Sequence, residues 1–226
     1  MYQRDYILRL IQQMTKAIGE TVFLRKNRQF EQAMEVLGQA MKQLLGLNSK
    51  LIEGLSAREL LKLLSPGGGP EPGKALALGQ ALDAEANVLE EMGKSREAEA
   101  RRMKALEILL IVRTSGDAQE LLEAFDEEID KLMARINTGD VEPDTRRLLI
   151  PYYEAKGRYA KAEDELFRLL EGDALSPNGR KESLLEEGIR MYERWSTLSE
   201  EELRLGNFSA EEVDESLALL RRWRGE

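Results

Sequence analysis

Residues 82–108 read LDAEANVLEEMGKSREAEARRMKALEI, and this stretch decides the fold. Its Gly93 is followed five residues later by Ala98, and Ala105 comes seven residues after that. Residues 149–171, LIPYYEAKGRYAKAEDELFRLLE, repeat the spacing at Gly157, Ala162 and Leu169. Two antiparallel helices that pack closely need a small residue at the turn and small or apolar residues beyond it. The sequence therefore predicts helical hairpins in an all-α protein.

The composition agrees with this prediction. Of the 226 residues, 42% are apolar, 33% charged and only 6% aromatic, a balance that favours helix over sheet. The chain is long enough for one long domain or two small ones. Helices are expected at about residues 2–24, 28–45, 74–92, 94–114, 117–136, 144–155, 159–170, 179–195 and 209–223, with a shorter one after the capping box Ser56 to Glu59. Pro151 is expected to kink its helix because it lacks an amide hydrogen.

Cysteine and histidine are both absent. Their absence excludes disulfides, thiolate and imidazole metal ligands, and the catalytic arrangements that need a cysteine or a histidine. Any chemistry has to use carboxylates, Lys, Arg, Tyr or hydroxyl groups. We therefore expect no catalytic residues, no metal, no cofactor and no enzymatic activity, and an enzyme built on carboxylates and Lys stays a minor alternative.

The start of the chain contains no apolar signal core, and the longest aliphatic run is residues 108–112. A bilayer span needs about 20 apolar residues, so we expect a soluble cytoplasmic protein without membrane contact.

Charge is distributed unevenly along the chain. Residues 1–70 contain 10 basic and 6 acidic residues, whereas residues 71–226 contain 23 basic and 36 acidic ones. Solvated helix faces explain this difference. Alternatively, a weakly basic N-terminal module contacts the acidic remainder, another acidic protein or nucleic acid.

The densest run of Pro and Gly predicts a linker at residues 65–73. It separates an N-terminal helical module, residues 1–64, from a helical-repeat domain, residues 74–226. An apolar stripe at helical spacing runs along the first predicted helix, and it either packs on the second helix or forms a homodimer. Its members are Ile7, Leu10, Ile11, Met14, Ile18 and Val22.

The two related stretches resemble the tetratricopeptide repeat. The first copy matches at Ala86, Leu89, Gly93, Ala98 and Ala105–Leu106–Glu107, and the second at Leu149, Tyr153, Gly157, Tyr159 and Ala162. The copies depart from the family at Arg102, Leu110 and Leu169, and their spacing predicts an irregular right-handed superhelix. Phe30, Ala33 and Ala40 suggest a degenerate third copy. Residues 5–11 look like the start of an uncharacterised bacterial family with tetratricopeptide-like C-terminal halves.

The resemblance implies a concave groove lined by the first helix of each hairpin. By position, this groove is expected to contain Gln80, Asp83, Asn87, Glu90, Arg147 and Glu154, although for each of them an ordinary solvated helix face is the commoner explanation. Asp83 stands where family members that clamp a terminal carboxylate have Lys, which favours a basic or polar ligand. The implied function is a non-catalytic scaffold or adaptor that binds a protein or peptide.

Other motifs are less specific. Residues 68–75 resemble a phosphate-binding loop, but Ala75 lacks the hydroxyl group and Pro70 and Pro72 remove amides, so a linker is favoured. The acidic runs 126–128 and 200–202 point around their helices and are expected to be solvent faces. The arginines around Trp223 are explained by the favourable interaction of basic side chains with a helix C-terminus, or alternatively by stacking on a nucleic acid base. The alternative function is a regulatory module whose N-terminal part contacts nucleic acid while the repeats sense a signal.

Overall fold

The chain is helical throughout the part that the computed structural model describes, which is residues 2–65, 71–116, 118–137, 139, 141–172 and 180–225, with side chains from residue 5 onward and none at residue 180. These residues contain no strand. Their α-helices are α1 Tyr2–Lys26, α2 Phe30–Leu45, α3 Ser49–Gly54, α4 Ala57–Leu64, α5 Pro72–Glu91, α6 Ser95–Thr114, α7 Leu122–Met133, α8 Pro143–Ala155, α9 Tyr159–Glu171, α10 Arg180–Trp195, α11 Glu200–Leu205 and α12 Ala210–Arg224. A short 3-10 helix, Gln119–Leu121, precedes α7.

The all-α prediction is confirmed, and the long helices begin and end within about two residues of the predicted positions, except α7, which is shorter than the predicted range 117–136. Two helices of six residues each, α3 and α11, were not predicted. Helix α3 ends against Lys104 of α6, whose ammonium group donates to the carbonyl oxygens of Ile52 at 2.5 Å and Leu55 at 2.8 Å. Because carbonyl groups at a helix end need donors, this distant lysine supplies what so short a segment lacks.

The predicted linker is shorter than expected, since α5 begins at Pro72 with this proline in its first turn. Gly73 lies inside the helix, and a Cβ atom there would be 2.4 Å from Cγ2 of Ile7 on α1. The close approach of α1 and α5 therefore requires glycine at residue 73. The chain forms two compact units, Met1–Val141 and Glu142–Glu226, and the range 65–73 falls inside the first. Its residues 66–70 lie outside the described part of the chain.

Pro151 does not end its helix, because α8 continues from Pro143 to Ala155. The proline side chain is exposed, on the face of α8 opposite the buried Leu149 and Tyr153. The predicted loss of one backbone hydrogen bond is therefore accommodated at the surface of the unit.

Three hairpins, α1 with α2, α5 with α6 and α8 with α9, turn in the same way. In each, one turn residue has a left-handed backbone, and the next amide donates at 2.8–2.9 Å to the carbonyl group five residues earlier. The first helix thereby ends in a Schellman-type cap, and a fully buried alanine follows five residues after the left-handed one. The left-handed residues are Arg28, Gly93 and Gly157, and the alanines are Ala33, Ala98 and Ala162.

Helix α5 is the centre of the first unit. Fourteen of its twenty residues are buried, because α1, α2, α4, α6 and α7 all pack on it. Gly79 permits the closest approach, since a Cβ atom there would be 2.7 Å from Cδ2 of Leu109 on α6. On α1, Leu10 and Met14 are buried in this core, so the centre of the predicted N-terminal stripe packs within the chain. A homodimer through the rest of the stripe stays a prediction.

The second unit has an aromatic core. Tyr192 of α10 packs against Trp195 at 5.0 Å between ring centroids, and Phe208 lies 5.5 Å from Trp195. Tyr152 and Tyr153 of α8 are also buried. Within the described residues, no helix combines the length and apolar character that a bilayer crossing requires.

Candidate functional site

Three of the predicted groove residues line one cleft in the first unit. Gln80, Asp83 and Asn87 lie one turn apart on α5 and form the floor of a cleft of about 310 Å³. Helix α1 forms one wall, and α7 with the turn that follows it forms the other, the α7 wall. The residues around the floor are Ala84 of α5, Thr15, Ile18, Thr21, Val22 and Arg25 of α1, Glu128 and Lys131 of α7, and Arg135 of the turn after α7.

A polar network joins the floor of the cleft to the neighbouring helices. Arg135, in the turn after α7, donates through Nη1 to both carboxylate oxygens of Asp83, at 3.2 and 3.1 Å, and to Oδ1 of Asn87 at 2.9 Å. Arg102 of α6 donates to the same Asn87 oxygen at 3.3 Å and forms an ion pair with Glu90. The hydrogen bond from Arg102 lowers the pKa of the Glu90 carboxyl group. The network thus holds α5, α6 and α7 together around the cleft.

Arg102 explains one departure from the tetratricopeptide pattern, which has an aromatic residue at this position. Its side chain is only 7% exposed and lies 3.9 Å from Asp83. The charged group pairs with acidic and amide side chains of α5, whereas an aromatic ring would fill the space between the helices by packing. The α5–α6 hairpin is therefore closed by a polar contact at this point.

The charges that reach solvent in the cleft are mainly basic. The side chains of Lys131 and Arg135 are 56% and 44% exposed, whereas those of Asp83 and Glu128 are 11% and 6% exposed. Both carboxylates are paired, Asp83 with Arg135 and Glu128 with Lys131 at 3.2 Å. Asp83 is therefore a structural partner of Arg135, and its carboxylate is not available to a basic ligand as its position suggested.

The floor of the cleft also contains an unpaired polar atom. The side-chain oxygen of Gln80 is buried, and no described residue donates a hydrogen bond to it. Buried polar atoms are nearly always paired, so this oxygen is an exception, and a bound molecule reaches it only when the Gln80 side chain turns toward the cleft. Nε of Arg102 likewise has no acceptor among the described residues.

The other two predicted groove residues lie on α8 of the second unit and face α10. Glu154 accepts hydrogen bonds from Arg194, at 3.0 and 2.8 Å, and from the indole nitrogen of Trp195 at 3.0 Å. This bonding raises the pKa of the Arg194 guanidinium group. Arg147 forms an ion pair with Glu187 and donates to Ser183 at 3.2 Å. Both residues thus contribute to the packing of α8 on α10.

The remaining motifs have structural roles where they are described. Lys74 of the loop-like sequence pairs with Glu71 at 2.9 Å, and residues 68–70 lie outside the described residues. Glu202 accepts from Ser199 in a capping box at the start of α11. Trp223 packs edge-on against Phe167 at 5.9 Å. Among the described residues, no three acidic side chains converge on a position that would hold a metal ion.

The sequence did not lead us to predict that the α7 wall lines the cleft. The helix that contains it matches neither repeat copy, so no family position pointed to Lys131 or Arg135. One signal was available: Phe125, Ile129 and Leu132 form the buried face of α7. That face leaves Glu128, Lys131 and Arg135 on a neighbouring polar strip, at the spacing of one and two helical turns.

Fold and site together define an all-helical protein that contains helical hairpins and, in its first unit, a polar cleft between α1, α5 and α7. The chain belongs to the family described as "Family of unknown function (DUF6483)", whose model matches residues 1–225. Comparison with curated proteins and with solved structures found no match to either.

Proposed function

We propose that this chain is a non-catalytic scaffold or adaptor that binds a protein segment or peptide in the cleft between α1, α5 and α7. The proposal includes the repeat architecture: the three hairpins are diverged copies of a tetratricopeptide-like unit in an irregular superhelix. Their identical turns support this relationship. The left-handed residues lie 65 and 64 residues apart, an almost constant interval.

The arrangement of the cleft supports binding. Helices α1 and α5 are the first helices of their hairpins, and both line the cleft, as expected for a groove in stacked hairpins. The unpaired oxygen of Gln80 carries the proposal, because a turn of this side chain toward the cleft gives a bound segment an acceptor that no described residue occupies. A backbone amide of an extended segment is a donor that fits this acceptor. Thr15 adds an exposed hydroxyl group to the α1 wall, whereas Thr21 is buried and donates to the carbonyl group of Ala17 at 2.9 Å.

The test is a selection of binders from a random dodecapeptide library displayed as N-terminal fusions, using the full chain as bait. The blocking variant is Thr15→Trp, because Thr15 is exposed at the edge of the cleft and a large side chain there fills it without entering the core. Gln13→Trp is the matched control, since Gln13 is exposed on the same helix but does not line the cleft.

Selected peptides are expected to bind the native chain and Gln13→Trp equally and to lose at least tenfold in affinity for Thr15→Trp. Both variants should keep the native circular dichroism spectrum. Peptides that bind Thr15→Trp and the native chain alike, or a selection that yields no binder, would refute the cleft as the binding site.

A further inference from the structure

We infer that the segment received by the cleft is acidic, with internal carboxylates that meet Lys131 and Arg135 and an apolar side chain that meets Ile18 and Val22. This inference rests on the proposed binding function and adds the chemical class of the partner. It follows from the difference between the charges that the cleft buries and those that it exposes.

The α7 wall presents two cations to a bound segment. Lys131 lies in the last turn of α7 and Arg135 in the turn that follows this helix, and both side chains line the cleft. Among the described contacts, Lys131 meets only Glu128, and Arg135 donates only through Nη1. Each side chain is about half exposed, so each retains donors for a ligand. A carboxylate between them would accept charge-assisted hydrogen bonds from both.

The acidic groups of the cleft do not compete for a cationic ligand. Asp83 and Glu128 are almost fully buried, and each is already neutralised by a basic partner. A lysine or arginine entering the cleft would meet Lys131 and Arg135 first. Electrostatic complementarity thus selects an acidic segment and disfavours a basic one.

The α1 wall adds an apolar requirement. Ile18 is half-buried and Val22 is 40% exposed, and the two lie one turn apart on the side of α1 that lines the cleft. An aliphatic or aromatic side chain packed on them would remove apolar surface from water. The cleft of about 310 Å³ is small, so it suits a few side chains of an extended segment and not a folded domain.

A peptide is favoured over a nucleic acid for two reasons. Among the described residues, three cations line the cleft and share it with two carboxylates, whereas phosphate backbones are bound by many uncompensated basic residues. Ile18 and Val22 form an apolar surface that a sugar–phosphate chain does not cover, and no aromatic side chain of the described part lines the cleft for base stacking.

The library selection described above tests this inference through the composition of its binders. Peptides that Thr15→Trp blocks are expected to be enriched in Asp or Glu next to Leu, Ile or Phe, relative to the unselected library. The tightest binder, made with capped termini, should weaken about three- to tenfold for Lys131→Glu and less for Lys131→Gln. Lys94→Glu is the matched control, because Lys94 is exposed at a turn outside the cleft.

A charge reversal completes the test. Replacing the acidic residue of the peptide by Lys should weaken binding to the native chain and restore it for Lys131→Glu, as a direct pair requires. Cleft-dependent binders that are basic or uncharged, or that bind Lys131→Glu as tightly as the native chain, would overturn the acidic partner and leave the binding function standing.

Two further outcomes would overturn the binding function itself or the class of the partner. The absence of any peptide blocked by Thr15→Trp would remove both the inference and the binding function. If no peptide binds, but a single-stranded oligonucleotide binds the native chain and not the Lys131→Glu variant, the ligand is a nucleic acid and not an acidic segment.

Discussion

Gln80 has a buried side-chain oxygen without a partner among the described residues, and this has a cost for the free protein. An unsatisfied buried polar group destabilises a fold by about 1–3 kcal/mol. Gln80→Met keeps the linear shape of the side chain and removes the polar atom. We therefore expect this variant to raise the free energy of unfolding by about 1 kcal/mol, measured by urea denaturation, and to weaken binding of the selected peptides.

The control for this variant is Gln13→Met, at an exposed position of α1. It should change neither stability nor binding, because Gln13 remains solvated in the folded protein. A Gln80→Met variant that is less stable than the native chain would show that the Gln80 oxygen is paired in the free protein, and would withdraw the main support for the binding function.

Asp83 illustrates what a sequence position reveals about a site and what it does not. Its helical spacing with Gln80 and Asn87 places the three residues on one face of α5, and the structure has them there. Its ionic partner, Arg135, is 52 residues further along the chain. No local pattern encodes that pairing, so the sequence suggested an available carboxylate where the fold provides a neutralised one.

At the scale of the helix, the hairpin turn recurs with different residues in its left-handed position. Glycine adopts this conformation without strain at residues 93 and 157, whereas Arg28 adopts it at φ 57° and Asn207, in a related turn before α12, at φ 56°. A left-handed backbone costs most residues about 1–2 kcal/mol, but asparagine tolerates it better. The first hairpin therefore contains strain that the other two lack.

Arg28→Gly is expected to relieve this strain and raise the free energy of unfolding by about 1 kcal/mol. The side chain of Arg28 is exposed, so its removal should cost little packing. Asn207→Gly serves as the comparison and should give a smaller gain. Thermal denaturation followed by circular dichroism measures both variants, and a destabilised Arg28→Gly variant would mean that the arginine side chain contributes contacts that outweigh the strain.

The helices themselves were largely predictable because their signals are local. Apolar periodicity located the long helices, and the reciprocal hydrogen bonds of Ser56 and Glu59 mark the start of α4 as the capping-box pattern predicted. Helix α3 has six residues and depends on Lys104, about fifty residues away, for two of its terminal carbonyl groups. Segments that short are not stable alone, so their presence depends on tertiary contacts that local sequence does not specify.

At the scale of the whole molecule, the centre of the first unit is helix α5, which contacts helices from both sides of the Pro- and Gly-rich segment. Composition alone favoured a boundary at residues 65–73, because Pro and Gly interrupt helices. In the structure, α1 and α2 cover α5, and the two compact units divide after Val141. Whether the N-terminal helices fold without α5 stays a prediction, because a break in helix propensity need not be a domain boundary.

Three fragments test whether the chain divides after residue 141 or at residues 65–73. Fragments 1–141 and 142–226 each retain a complete compact unit, so each should unfold cooperatively in urea with the helical spectrum of its unit. Fragment 74–226 lacks α1 and α2 and exposes the apolar residues that α5 buries against them. It should show cooperative unfolding only of residues 142–226, and strong binding of a hydrophobic dye by the remainder. Cooperative unfolding of all of fragment 74–226, together with a folded fragment 1–64, would instead establish the division at residues 65–73.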